Sequence, residues 1–243
     1  MYLVTKTQMQ NIDRHAIEKI CIPGNILMEN AGIKIFEILK KQYLNFNPAE
    51  TKICIFAGIG NNGGDGLVLA RHLLNHRYKT TIAVIGSPIK MSKETLINYE
   101  ILKNLNAKIL IIKKSSGLSY LKQIIKDSNI LIDALLGTGL SRPVEGLTGE
   151  VIELINNSGK KVISVDIPSG IDADTGEVLG VAVKANHTIT MALPKRGQFL
   201  FPGKNYSGKI SVVDISIPYE AIKEKINTQI FLRKNKYTNF SSR

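Results

Sequence analysis

Apolar residues in the first fifty positions recur every three or four residues. Met9, Ile12, Ala16, Ile17 and Ile20 mark one stripe over 7–20, and Ile26, Leu27, Ala31, Ile35, Ile38 and Leu39 mark another over 25–43. That spacing predicts two helices, parted by the turn Cys21-Ile22-Pro23-Gly24. The Met9–Ile20 stripe reads as packing rather than a cofactor site, and packing against a second copy of the chain, as a homodimer, is one version of that reading. Past Pro48 the pattern changes. Short runs that are apolar on both faces, at 52–57, 80–85, 107–112, 129–134 and 161–166, alternate with helical stretches at 66–76, 92–105, 117–126 and 147–156. Strands without a polar face, spaced by helices, predict a parallel sheet covered on both sides. The expected fold is therefore α/β: a Rossmann-like, doubly wound, mostly parallel sheet with helices on both faces and two helices at the N-terminus. Runs at 188–193 and 209–215 extend the sheet. Residues 1–218 read as a single domain and 219–243 as a basic, loosely held C-terminal tail.

Composition narrows the function. Hydrophobic residues are 44% and charged residues 21% of the 243, which excludes a disordered or collagen-like polymer. The net charge of +12 raises the question of nucleic acid. The lysines are dispersed, however, and no basic stripe is interleaved with aromatics, so no nucleic-acid partner is expected. No run reaches the roughly 18 apolar residues of a membrane span, and no secretory signal opens the chain. Two cysteines, Cys21 and Cys54, make no disulfide framework. A cytoplasmic protein without a membrane partner is expected.

In an open parallel sheet the ligand lies beyond the carboxyl ends of the strands, so the segments after the strands carry the chemistry. The first is Gly58-Ile59-Gly60-Asn61-Asn62-Gly63-Gly64-Asp65-Gly66, a glycine-rich turn whose freedom and following helix N-terminus suit an anion. It spells a dinucleotide fingerprint. Yet the second strand lacks the acidic residue that holds a ribose in dehydrogenases, and no Lys-Ser or Lys-Thr follows as in a phosphate loop. Asn61, Asn62 and Asp65 add side-chain oxygens. The fourth strand ends at Asp133, followed by Gly137-Thr138-Gly139-Leu140-Ser141-Arg142-Pro143. Here an acid at an apolar tip demands a partner, and Arg142 can meet a phosphate. The fifth ends at Asp166, followed by Ile167-Pro168-Ser169-Gly170. Asp172 and Asp174 read as turn residues. Neighbouring strands would bring Asp133 and Asp166 together, and two carboxylates in one crevice divide into an acid and a base. His72 and His76 lack the extra ligands of a zinc site. His15 and His187 read as ordinary surface or satisfied histidines.

These three motifs in order, with Thr188-Ile189-Thr190 and Pro194-Lys195-Arg196-Gly197 as a fourth and Leu27-Met28-Glu29-Asn30-Ala31-Gly32 besides, resemble the NAD(P)H-hydrate epimerase family, the YjeF-type N-terminal domain, across residues 5–218. The resemblance implies an isomerase of metabolite repair, interconverting the R and S forms of hydrated NADH and NADPH (NADHX and NADPHX) for a separate NAD(P)H-hydrate dehydratase. It further implies that residues 61–65 (Asn61, Asn62, Gly63, Gly64, Asp65), residues 137–143 (Gly137 to Pro143) and Asp166 contact the substrate, and that Asn62, Asp133 and Ser169 hold a potassium ion. Asp133 and Asp166 are then the expected catalytic pair, with Asp133 the acid/base and Asp166 orienting the substrate. Lys195 reads as a solvated phosphate contact ahead of a third proton-transfer group. The family often carries a dehydratase domain after this one; with only 25 residues past Pro218, dehydratase activity is not expected of this chain. The alternatives are a non-catalytic nucleotide- or protein-binding module on the same fold and an ordinary dehydrogenase.

Overall fold

The computed structural model describes residues 2–44 and 47–223. Two helices, α1 (Lys6–Glu18) and α2 (Gly24–Gln42), precede seven strands. These are β1 (Lys52–Ala57), β2 (Lys79–Ile85), β3 (Lys108–Ile112), β4 (Ile130–Ala134), β5 (Lys161–Val165), β6 (His187–Met191) and β7 (Lys209–Val213). Between and after them lie α3 (Asn61–Asn75), α4 (Lys93–Asn104), α5 (Leu118–Asp127), α6 (Gly146–Asn156), α7 (Gly203–Ser207) and α8 (Tyr219–Lys223). Every pairing is parallel, in the order β3-β2-β1-β4-β5-β6-β7. The direction of winding reverses between β1 and β4, which opens a crevice beyond their carboxyl ends.

Alternation along the strands explains why both faces are covered. In β1, Ile53, Ile55 and Ala57 join the core beneath α2, α3 and α4, whereas Cys54 and Phe56 join the core beneath α5 and α6. Burial raises the Cys54 thiol to about 12, so it packs as a small apolar residue. Thr5 caps α1 through a box with Gln8. Among the described residues no helix is long and apolar enough to cross a membrane.

Two details depart from the sequence pattern. Helix α3 starts at Asn61 rather than Gly66, so most of the glycine-rich turn is helix. Its glycines serve close approach rather than left-handed backbone. A methyl group at Gly58 would meet the Leu135 carbonyl oxygen, one at Gly63 the Gly58 carbonyl oxygen, and one at Gly66 the Ala134 side chain. The tail expected from residue 219 begins as α8, which packs on α1 through the fully buried Ala221. Residues 224–243 of that expected tail lie outside the described residues.

His187 is fully buried in β6, with Nδ1 at 2.8 Å from the Tyr43 hydroxyl and Nε2 at 2.9 Å from Ser211 Oγ. Burial, aided by Lys209, lowers its imidazole to about 4. The folded state therefore binds fewer protons here than the unfolded chain, whose histidine titrates near 6.5. This contribution is complete above about 6.5 and is lost as pH falls toward 4. In thermal melts from pH 7 to 4, the wild-type Tm should fall more steeply than that of His187→Gln; parallel curves would refute the assignment.

Candidate active site

The crevice is a cleft of about 1070 Å³. Its lining draws on the turn before α3 (Gly58, Gly60), on Asn61, Asn62 and Asp65 in the first turns of that helix, and on the loop after β4 from Leu135 to Arg142. Asp166 and Lys195 line it from the sheet tips, and Met9, Asp13 and Ile17 line it from α1. Each wall is fastened. Ser92 Oγ donates to Asn61 Oδ1 at 2.6 Å, and Thr95 Oγ1 donates to the Gly60 carbonyl at 3.0 Å. Lys6 Nζ at the start of α1 donates to the Leu140 carbonyl at 2.8 Å, tying that helix to the second glycine loop. Pro143, the last residue of that loop, is exposed.

The tips of β5 and β6 share one device. Asp166 takes φ +65° while Ile167 N–H donates to the Val165 carbonyl at 2.8 Å. Ala192 takes φ +55° while Leu193 N–H donates to Met191 O at 2.7 Å. Both are γ-turns of the rare, strained hand. They swing two neighbouring chain ends toward each other and bring Lys195 under Asp166. The Lys195 ammonium is 1% exposed. It donates to Asp166 Oδ1, to Thr190 Oγ1 at 3.1 Å and to the Met191 carbonyl at 3.1 Å. Thr190 Oγ1 and Met191 N–H also donate to Asp166 Oδ1, both at 3.2 Å. Gln198 completes the assembly, with Nε2 donating to the Asp166 carbonyl at 2.7 Å and Oε1 accepting from Lys195 N–H at 2.8 Å. The expectation that Lys195 is a solvated phosphate contact is thus corrected: it is an internal ion-pair partner.

Asp133 sits deeper. It is fully buried and does not line the cleft. Parallel pairing sets it opposite Ser164, whose hydroxyl donates to Oδ2 at 2.8 Å. Ser169 N–H reaches Oδ2 at 2.9 Å, Ser169 Oγ reaches Oδ1 at 2.6 Å, and Leu135 N–H reaches Oδ1 at 3.3 Å. Burial raises this carboxyl above the usual range against the pull of those donors. β4 and β5 are neighbours as expected, and the groups that engage the Asp133 carboxyl are Ser164, Ser169 and Leu135 rather than Asp166. Asp166 acts instead on Asp65 and Asp13. Burial, then the charges of Asp166 and Asp13, lift the Asp65 carboxyl well above its ordinary value against the pull of Lys195. Burial lifts Asp13 to about 6, with Lys195 opposing and Asp166 adding to the shift.

Asn62 stands between the two glycine loops. Its Nδ2 donates to the Leu136 carbonyl at 3.0 Å, and its Oδ1 is buried with no hydrogen-bond partner. Asp172 and Asp174 are turn residues as expected: Asp172 Oδ1 accepts Asp174 N–H at 2.9 Å and Thr175 N–H at 2.8 Å. His72 is engaged by Glu29 at 2.8 Å, alongside Arg71. Among the described residues no cluster of three His, Cys, Asp or Glu side chains is placed to hold a metal.

Comparison with known proteins fits this arrangement. The pattern of the family described as "YjeF-related protein N-terminus" matches residues 24–197. The chain belongs to that family. The NAD(P)H-hydrate epimerase of Lentilactobacillus buchneri is 39% identical over 88% of this chain and 94% of its own length. The bifunctional NAD(P)H-hydrate repair enzymes Nnr of Moorella thermoacetica and Thermofilum pendens are 37% and 38% identical. This chain spans only 43% and 42% of their lengths. A yeast crystal structure, ynu0 (YNL200c), superposes with a TM-score of 0.78 over 97% of both chains at 22% identity, and shares the fold.

The segment matched to the YjeF-related domain contains Asn62, Asp65, Asp133, Asp166, Ser169 and Lys195. Helix α1 precedes it, so Asp13 lies outside. Sequence reasoning missed Asp13 because it was absorbed into a packing stripe. The available signal was the row Met9, Asp13, Ile17, spaced by four, in which an acid interrupts an apolar helix face.

Proposed function

We propose that this chain epimerises the R and S forms of hydrated NADH and NADPH, as a step of nicotinamide nucleotide repair. The observation that carries the reading is the meeting of three carboxyl groups (Asp13, Asp65, Asp166) and one buried ammonium (Lys195) in a cleft bounded by two glycine loops. The backbone around Gly58–Asn62 and Gly137–Gly139 suits a dinucleotide, with Arg142 at the exposed rim for a phosphate. The carbon to be inverted carries a hydroxyl beside the ring nitrogen. Inversion requires a proton for the leaving oxygen and a base when water returns to the other face. General acid–base help of this kind is worth on the order of a hundred- to ten-thousand-fold. Opposed carboxyls of different protonation supply it, whereas a module that only binds has no use for them. Hydride transfer is disfavoured because Ile85 and Gly86, rather than an acid, end the second strand at the cleft.

Proton NMR of purified R-NADHX mixed with the protein tests the reading. The S form should appear faster than in buffer, and equal rates would sink it. The remaining length of the bifunctional repair relatives supports a functional link to a separate NAD(P)H-hydrate dehydratase.

A potassium ion would fit beside Asn62. The buried Asn62 Oδ1 lacks a partner, and Ser169 Oγ and the Asp133 carboxylate are hard oxygen donors nearby in the network around the Leu136 carbonyl. Such an ion would hold the two glycine loops at a fixed spacing. If so, potassium chloride at ten times its dissociation constant adds about 1.4 kcal/mol, a rise in Tm of about 3–6 °C for a chain of this size. Tetramethylammonium chloride at equal ionic strength gives the baseline. Identical melts in the two salts would exclude the ion.

A further inference from the structure

We infer that Asp13 of α1 is a catalytic proton-transfer group of the cleft, giving a proton to the departing hydroxyl and recovering one from the returning water. The inference rests on the function proposed above and adds a residue from outside the matched family segment.

Asp13 lines the same cleft as Asp65, Asp166 and Lys195, and the four side chains come from four separate elements. Helix α1 is locked over the site rather than resting on it. Val4 N–H donates to the Pro194 carbonyl at 3.0 Å, and Arg196 N–H donates to the Val4 carbonyl at 3.0 Å. Lys6 N–H donates to Asp174 Oδ1 at 2.6 Å. The chain just before α1 is therefore bonded to the residues on either side of Lys195, and Asp13 is held relative to the ion pair by a rigid route. The inner side of α1 (Met9, Ile12, Ala16) is buried in the core, which fixes the helix's rotation and keeps Asp13 toward the cleft.

Three carboxylates beside one ammonium would carry a net charge of −2 in a partly desolvated cleft. Holding a proton on a carboxyl is the cheaper state. Asp166 is the member already engaged at Oδ1, by Lys195, Thr190 and Met191. Asp65 and Asp13 are the members that take protons. Of these, Asp13 titrates close to neutrality, at about 6, where a group both gives and recovers a proton readily. The charges acting on it are Lys195 from the loop after β6 and Asp166 from the β5 tip, and Asp13 in turn raises Asp65 of α3. Glu94 of α4 and Arg142 also line the cleft. From α8, Glu220 and Lys223 are exposed, and on α1 itself Arg14 is exposed.

The step balances within the cleft. The Asp13 carboxyl protonates the hydroxyl, the carbon–oxygen bond breaks, water departs, and the ring-nitrogen lone pair forms a carbon–nitrogen double bond. Water then adds to the opposite face, that electron pair returns to nitrogen, and the proton released by the water returns to Asp13, directly or by way of Asp166. No oxidant or reductant is consumed.

Asp13→Asn and Asp13→Glu, compared with wild type from pH 5 to 8.5 on R-NADHX after subtraction of the uncatalysed rate, test the inference. Asp13→Asn should lose a hundredfold or more in kcat, with KM changed by less than about threefold, and Asp13→Glu should recover part of the loss. The limb of the wild-type pH profile near 6 should vanish in Asp13→Asn. A kcat within about threefold of wild type overturns the inference and leaves the epimerase reading intact. So does a change confined to KM with the limb unmoved. A carboxyl carbon NMR titration, with the Asp13 signal assigned by its absence in Asp13→Asn, needs no turnover. A midpoint near 4 there overturns the inference even if the protein fails to epimerise NADHX, an outcome that would by itself count against the proposed function.

Discussion

Replacing Lys195 with Met is expected to lower the unfolding free energy by about 3–5 kcal/mol, the usual consequence of leaving a buried charge without its partner. It should also bring epimerisation below a hundredth of the wild-type rate. Thr190 and Met191 N–H remain on Asp166 Oδ1, but two neutral donors do not replace an ammonium held at 1% exposure. The double variant Lys195→Met/Asp166→Asn removes both charges, and should regain much of the stability while staying inactive. Stability and activity would thereby separate. A Lys195→Met variant that melts with wild type and turns over at its rate would show that the ion pair contributes to neither.

The fold was legible because its signals are local and redundant. Strands apolar on both faces and spaced by helices leave few arrangements, and the observed order places the reversal between β1 and β4, where the two glycine-rich loops had pointed. The candidate site was legible only in part. Asp65, Asp166, Asn62 and the 137–143 loop stand out as polar or glycine residues after apolar strands, and all but Pro143 line the cleft. What periodicity cannot convey is direction. The parity of β4 sends Asp133 toward Ser164 rather than into the cleft, and a γ-turn at Asp166 turns that residue out of the strand's alternation. Lys195 was misread because a lysine after a strand looks solvated until the carboxylate above it is seen. Asp13 was missed because the charges that act on it, Asp166 and Lys195, are far away in sequence, whereas helical periodicity relates it only to its neighbours on α1. Of the two reasons for glycine at 58, 63 and 66, close approach and positive φ, only the first applies. Their missing side chains admit neighbouring groups, and none takes a positive φ.

Asp133→Asn separates the two roles that a carboxylate at this strand tip can have. The side chain accepts from Ser164 Oγ and Ser169 N–H at one oxygen, and from Ser169 Oγ and Leu135 N–H at the other. An amide has one accepting end. Either hydroxyl can turn to accept from the new NH₂ group, but a backbone N–H cannot. In both orientations of the amide, therefore, Ser169 N–H or Leu135 N–H faces a donor inside a fully buried site. One stranded donor costs about 1–3 kcal/mol, and the weakened charge-assisted bonds add a comparable amount. The expected loss is about 2–5 kcal/mol, or roughly 4–20 °C in Tm for a chain of this size. Ser169 also accepts from Leu136 N–H at 2.8 Å, so disturbing it should loosen the second glycine loop and abolish any stabilisation by potassium chloride. Because Asp133 does not line the cleft, kcat should fall with the loop's order while the pH profile keeps its shape. The opposite result, an unchanged melt with a hundredfold slower reaction and an altered pH profile, would return Asp133 to proton transfer and remove it from the framework.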